Sequence, residues 1–272
     1  MMLSALISAI CWACFDFLRK QLAQQVSAPL MSVIFSLLVL PGYLIYWGWL
    51  QAPLPEVEYF VPGTISGLLA AIGSVCFIRG LAVGKIAVML PLLSVTPVVS
   101  GAFAWIWLGE PLVEAQVLAL GAITLGSFIL QGGRFAIREP GAGYVLITAL
   151  CWGMCIVFDK QALQYAEVSF HLIFLTASVA LINGMIFRPE LGAGVLLKYK
   201  WQWGGAALVF AFAVLCQLVA LQQLQPGVME AIKRAIGITS AALLGVYFYK
   251  ETLRHYQWLS IAVILVGTVS LY

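Results

Sequence analysis

The chain has 272 residues, of which 63% are hydrophobic and only 9% charged, with a mean hydropathy of +1.03. Soluble domains carry roughly 25% charged residues, so there is too little charge here to coat a water-soluble surface. The net charge of +3 is spread along the sequence without a Lys/Arg stripe, which excludes nucleic acid as a partner.

A membrane span needs about 20 apolar residues, and apolar runs punctuated by Pro, Gly and charge predict ten helices. The first five cover residues 3–22, 29–50, 59–83, 86–108 and 112–130. A polar stretch, Gln131 to Pro140, follows them. The second five cover residues 143–163, 169–187, 201–224, 228–249 and 255–272. The expected fold is an all-α integral membrane protein. No basic region precedes the apolar start and no cleavage site follows it, so the first run reads as a retained helix.

Trp and Tyr residues cluster at several helix ends: Tyr43, Tyr46, Trp47, Trp49, Trp105, Trp107, Trp201, Trp203, Tyr256 and Trp258. The ring is apolar and its N–H or O–H seeks water, so interfacial anchoring is expected. Cys11 and Cys14 have C-x-x-C spacing, but all six cysteines lie in apolar runs and the only histidines are His171 and His255. Helix packing is therefore the expected role of the cysteines, and no metal or cofactor is expected.

The sequence repeats itself at a displacement of 140 to 141 residues. Cys11, Trp12, Lys20, Gln21 and Gln24 recur as Cys151, Trp152, Lys160, Gln161 and Gln164. Near the end of each half, Glu110, Leu112, Gln116, Leu118, Ile123 and Gly126 recur as Glu251, Leu253, Gln257, Leu259, Ile264 and Gly267. Matches among Glu, Gln, Trp and Lys are not expected by chance in apolar sequence. The reading is a first five-helix repeat over residues 1–133, a connecting loop over 134–142 and a second repeat over 143–272. An odd number of spans per half makes the repeats inverted, a recurring design of secondary transporters with the substrate near the midplane.

These blocks, the Leu108-Gly109-Glu110 and Tyr249-Lys250-Glu251 turns, the Trp and Lys of each half's first helix and the Pro-containing run from Leu90 to Pro97 resemble the drug/metabolite transporter superfamily. Among its branches the likeness is to the EamA-type ten-helix members, over essentially the whole chain. The resemblance implies a 5+5 inverted-topology repeat with helices one to four and six to nine around a central cavity. It also implies alternating access, often in export, and a bacterial inner membrane. The chain departs from the pattern in having Ile238 where Pro97 stands in the first half, and in a charged opening to its ninth helix, Glu230-Ala-Ile-Lys233-Arg234.

Eleven of the fourteen basic residues hold or adjoin the odd-numbered loops. The positive-inside rule then puts those loops in the cytoplasm and both termini outside. The resemblance implies cytoplasmic termini instead, and the charge count is given slightly more weight.

Ionisable groups deep in a span cost roughly 2.5–3.5 kcal/mol each on insertion scales and need water, a partner or a task. Trp12, Asp16, Arg19 and Lys20 share one helix face, and Trp152, Ile156, Asp159 and Lys160 occupy the corresponding face of helix six. These read either as cavity-lining stripes or as charges that snorkel to the interface in mutual pairs. Glu230 is spaced to pair with Lys233 or Arg234, as a binding subsite or as a structural ion pair. Arg79 is either a snorkelling residue or a cavity residue. Thr96, beside Pro97, lies where a proline-interrupted helix exposes backbone acceptors. Gln217 and Asn183 are candidates for bonds between helices, and His171 for an interfacial role ahead of proton relay.

The substrate-binding or coupling candidates are thus Trp12, Asp16, Lys20, Arg79, Thr96, Trp152, Lys160, Gln217, Glu230, Lys233 and Arg234. The expected activity is secondary transport, by export or exchange, of a small zwitterionic or anionic metabolite. A phosphate-binding loop of the G-x-x-x-x-G-K-[ST] type is missing, and no catalytic residue is expected. A lipid-modifying membrane enzyme and a non-transporting scaffold or channel are the alternatives. The expected partners are the substrate and membrane lipid. Gly121, Gly126 and Gly267 give helices five and ten small-residue faces, open either to packing or to a homodimer.

Overall fold

The computed structural model describes residues 2–85, 89–90, 92–130, 138–190, 199–249 and 254–269. Ten α-helices are described: α1 (Met2–Leu22), α2 (Ala28–Leu50), α3 (Phe60–Val83), α4 (Thr96–Leu108), α5 (Glu114–Leu130), α6 (Ala142–Ala162), α7 (Val168–Phe187), α8 (Lys200–Leu221), α9 (Pro226–Tyr249) and α10 (His255–Val269). They follow the ten predicted runs, with the largest differences where special chemistry intervenes. Predicted residues 86–88, 91 and 270–272 lie outside the described residues, as do 131–137 of the connecting stretch and Lys250, Glu251 and Leu253 of the last turn.

The longest difference is in the fourth run. In place of one continuous helix there is a tighter 3-10 turn at Leu93–Val95 before α4 begins. Pro97 has no N–H to return to the carbonyl of Leu93, so the regular i to i−4 ladder cannot pass through this point. At the other end of α4, Gly109 takes a left-handed φ of 67° and its N–H reaches back to the carbonyl of Ala104. The start of α5 at Glu114 rather than Leu112 reflects a side-chain cap: Gln116 Oε1 accepts from the Val113 N–H at 3.1 Å. Such caps replace the bonds that a helix N-terminus lacks.

Among the described residues, six helices are long and apolar enough to cross a membrane: α1, α2, α3 with its preceding turn, α6, α7 and α8. The surface is apolar, with Ile45, Ile106, Leu118, Leu181 and Val266 more than half exposed. By contrast Asp16, Arg19, Asp159, Glu230, Lys233 and Arg234 are all buried. That inside-out distribution suits a lipid solvent, where exposed charge is costly and exposed hydrocarbon is not. Trp49 and Trp201, each 84% exposed, fit the anchoring role. Trp203 and Tyr43 do not: both are inside the bundle, Trp203 5.0 Å from the Phe35 ring and Tyr43 donating to the carbonyl of Ala211 at 3.0 Å.

The principal helix pairs are α3 with α6, α1 with α8, α2 with α7 and α5 with α10, joined by α1 with α9, α4 with α6 and α4 with α9. Polar bonds tie these pairs in the membrane interior. Ser8 donates to Ala213 O at 2.8 Å, and Asn183 donates to Ser32 Oγ at 2.9 Å and Ser74 Oγ at 3.3 Å. Small residues set the closest approaches. A Cβ on Gly73 of α3 would stand 2.5 Å from the indole of Trp152, so glycine there lets that ring lie against α3. Gly126 and Gly267 are consumed in the contact of α5 with α10, whereas Gly121 faces open space.

Candidate functional site

The helices enclose a cavity of about 120 Å³, far above the roughly 10–15 Å³ that holds one water. Seven helices contribute to its wall: α1, α2, α3, α6, α7, α8 and α9. Half of the lining residues are aromatic or aliphatic, and polar or charged side chains from all seven helices converge on the same space.

One wall belongs to α1. Trp12, Phe15 and Arg19 follow one another at helical spacing and face inward. Arg19 pairs with Asp16 at 2.5 Å, and its guanidinium lies among four rings: Phe77 at 4.1 Å, Phe15 at 4.9 Å, Trp152 at 5.4 Å and Trp12 at 5.9 Å. The ring faces offset part of the lost hydration of a buried cation. Asp16 sits behind Arg19 as its counter-ion, outside the cavity lining. Trp12 also donates from Nε1 to Gln217 Oε1 of α8 at 2.9 Å, while Trp152 packs on Phe77 of α3 at 5.2 Å.

The opposite charge cluster comes from α9. Glu230 binds Lys233 at 2.5 Å through Oε1, and Arg234 approaches its Oε2 only to 3.6 Å. That is an ion pair without a hydrogen bond, and both Glu230 Oε2 and Arg234 Nε lack hydrogen-bond partners. Lys233 Nζ is also 5.0 Å from the Trp12 ring. All three charged residues line the cavity. Buried groups left unsatisfied are costly, and Arg234 stands on the cavity wall with its Nε unbonded.

The third cluster joins α6, α7 and the turn before α3. Asp159 lines the cavity; its Oδ1 accepts from Ser66 of α3 and lies 3.1 Å from His171 Nε2 of α7. The other ring nitrogen, His171 Nδ1, is 2.8 Å from the hydroxyl of Tyr59. Tyr59, Ser66 and His171 are fully buried. His171, expected at an interface, lies near the start of α7 with its side chain buried between helices.

Six of the eleven sequence candidates line the cavity: Trp12, Trp152, Gln217, Glu230, Lys233 and Arg234. Asp16 acts through Arg19. The other four lie elsewhere. Lys20 donates to the carbonyls of Leu81 and Gly84 at the C-terminal end of α3, where a cation satisfies orphan acceptors and the helix dipole. Lys160 pairs with Glu110 at 2.8 Å and donates to Leu224 O at 3.1 Å. Arg79 is exposed, its guanidinium 5.6 Å from the Phe187 ring. Thr96 is buried at the start of α4, its hydroxyl without a partner.

Sequence reasoning set aside Arg19 and Asp159 as helix-end charges, and it missed Tyr59, Ser66 and Phe77 as site residues. One signal was present: Arg19 and Asp159 are displaced by 140 residues, so the repeat puts opposite charges at equivalent positions.

The description "EamA-like transporter family" matches residues 1–131 and 139–272 of this chain. A solved crystal structure whose description names no activity has the same fold, with a TM-score of 0.75 over 99% of this chain and 96% of its own, at 16% identity. No protein of curated function matches the sequence. The apolar spans and the family match over nearly all its residues make this a multi-pass membrane protein, and the chain belongs to the EamA-like transporter family within the drug/metabolite transporter superfamily.

Proposed function

We propose that the protein is a secondary transporter of a small zwitterionic or anionic metabolite, working by alternating access in a bacterial inner membrane, as an exporter or exchanger. The observation that carries this reading is the under-bonded Arg234 guanidinium on the cavity wall, with the Lys233 ammonium beside it. A carboxylate would give Arg234 the bonds it lacks, and Asp159 offers an acceptor for an ammonium group on the same cavity.

Alternating access in this reading uses a 5+5 inverted repeat, and three pairs of equivalent contacts support it. Lys20 donates to Gly84 O, and its equivalent Lys160 to Leu224 O, each bond displaced by 140 residues from the other. Trp12 meets Gln217 while Trp152 meets the equivalent Phe77. A Cβ on Gly126 would meet Ile264, and one on Gly267 would meet Ile123. The helix pairs also exchange correctly, α3 with α6 becoming α8 with α1. Two halves of opposite orientation and nearly equal energy can trade conformations, opening the cavity to each side in turn.

Uptake into proteoliposomes of L-glutamate, L-alanine, L-lysine and small mono- and dicarboxylates tests the proposal. At least one zwitterionic or anionic compound is expected to accumulate, and Arg234→Gln is expected to weaken its half-saturation at least about tenfold, or about 1.4 kcal/mol. Transport confined to cations, or unaltered by Arg234→Gln, refutes the assignment.

A further inference from the structure

The cluster formed by Asp159, His171, Tyr59 and Ser66 is built to hold two protonation states. Asp159 as a carboxylate only accepts hydrogen bonds, so Ser66 Oγ must donate to it, and so must His171 Nε2. A neutral imidazole then has its lone pair on Nδ1, which accepts from the Tyr59 hydroxyl. A proton added at Nδ1 would reverse that bond, making Nδ1–H the donor and the Tyr59 oxygen the acceptor. A hydroxyl does both, so neither state leaves an unbonded nitrogen in the membrane interior. The Phe170 and Phe174 rings stand 5.4 and 5.2 Å from Tyr59 and close the outer side of the cluster.

The charges facing the cavity decide what such a proton does. From α1 come Arg19 and its partner Asp16, from α9 Glu230, Lys233 and Arg234, and from α6 Asp159. From α6 also comes the Cys155 thiol, 3.7 Å from Asp159 Oδ2. The described charges of α3, α6 and α7 away from the cavity are Arg79, Lys160 and Glu167; Arg79 and Glu167 are exposed and Lys160 is paired with Glu110. With a neutral imidazole the cavity set holds three cations against three carboxylates. Adding one proton leaves it with one net positive charge, which raises affinity for a net-negative ligand.

We infer that His171, held between Asp159 and Tyr59, is a proton-binding site, and that the proton and a net-anionic substrate bind together and move in the same direction. This rests on the reading of the cavity as a transport site. By linkage, the substrate favours proton binding as much as the proton favours the substrate.

Two measurements test it. Only two histidines exist in the chain, so ¹⁵N-histidine spectra of the purified protein in detergent contain two imidazole sets, assigned by His171→Gln. The His171 set is expected to pass from the neutral to the protonated imidazole pattern when the folded protein is acidified. A His171 imidazole that keeps the same pattern in acidic and alkaline samples of the folded protein overturns the proposal.

In the second measurement, proteoliposomes carrying a pH dye in the lumen receive L-glutamate outside, with L-alanine and L-lysine in parallel. Wild-type uptake of glutamate is expected to acidify the lumen. In Tyr59→Phe, which keeps the ring, the acidification per substrate is expected to fall several-fold. Lumenal alkalinisation or uptake with a constant pH overturns the coupling and leaves the transport reading standing. Absence of uptake of these three and of the small mono- and dicarboxylates overturns both.

Discussion

Arg19 shows at the scale of a single residue why burial, not sequence position, decides a charge's role. Near the end of α1 it has the reach to leave the bilayer, yet it lies 4% exposed among four rings with Asp16 as its ion-pair partner. Removing one member of such a pair strands the other. Arg19→Leu is expected to destabilise the protein by about 3–5 kcal/mol, whereas the double change Asp16→Leu with Arg19→Leu recovers most of the loss. Chemical unfolding in detergent, followed by circular dichroism, provides the comparison; equal losses in the single and double variants would show that the pair is not the source. The sequence revealed the shared face of Trp12, Asp16 and Arg19 through their i, i+4 and i+7 spacing. It could not reveal that the rings of Phe77 and Trp152, from two other helices, would complete the enclosure. Long-range neighbours leave no local pattern, which is also why His171 read as interfacial.

Among the elements, α4 is the least regular, and the irregularity was legible. Prolines inside a predicted span marked a break, and the 3-10 turn at Leu93–Val95 occurs where Pro97 withholds its N–H from Leu93. The boundaries of the other helices followed from apolar run length. Buried anchors such as Trp203 were misplaced, because hydropathy counts how many residues are apolar and not which way a ring turns. Where a break in a span lets two segments reorient separately, repairing it should slow the cycle. Pro97→Ala is expected to lower the maximal uptake rate several-fold while thermal stability is kept or slightly raised, since one backbone bond is gained. Stability and rate falling together would instead indicate a packing defect.

For the whole molecule, the order of the described helices could be read from the apolar runs and their Pro, Gly and charge punctuation, and the 140-residue register anticipated the equivalent contacts of Lys20 and Lys160. What escaped the sequence was the closing of the charge set. The buried charges around the cavity comprise Arg19, Lys233 and Arg234 against Asp16, Asp159 and Glu230.

That balance bears on how the chain is made. Glu230, Lys233 and Arg234 lie within two turns of α9, and at roughly 2.5–3.5 kcal/mol per charge this segment has little tendency to enter lipid alone. Its neighbours α1 and α4 are synthesised more than a hundred residues earlier. The ninth segment must then wait at the insertion machinery until a groove between older helices receives it. Fused to a reporter by itself, α9 is expected to integrate poorly, and in the full chain efficiently; deletion of α1 should trap it outside. Glycosylation mapping of those three fusions measures this, and efficient insertion of α9 alone would show that the order of synthesis is immaterial.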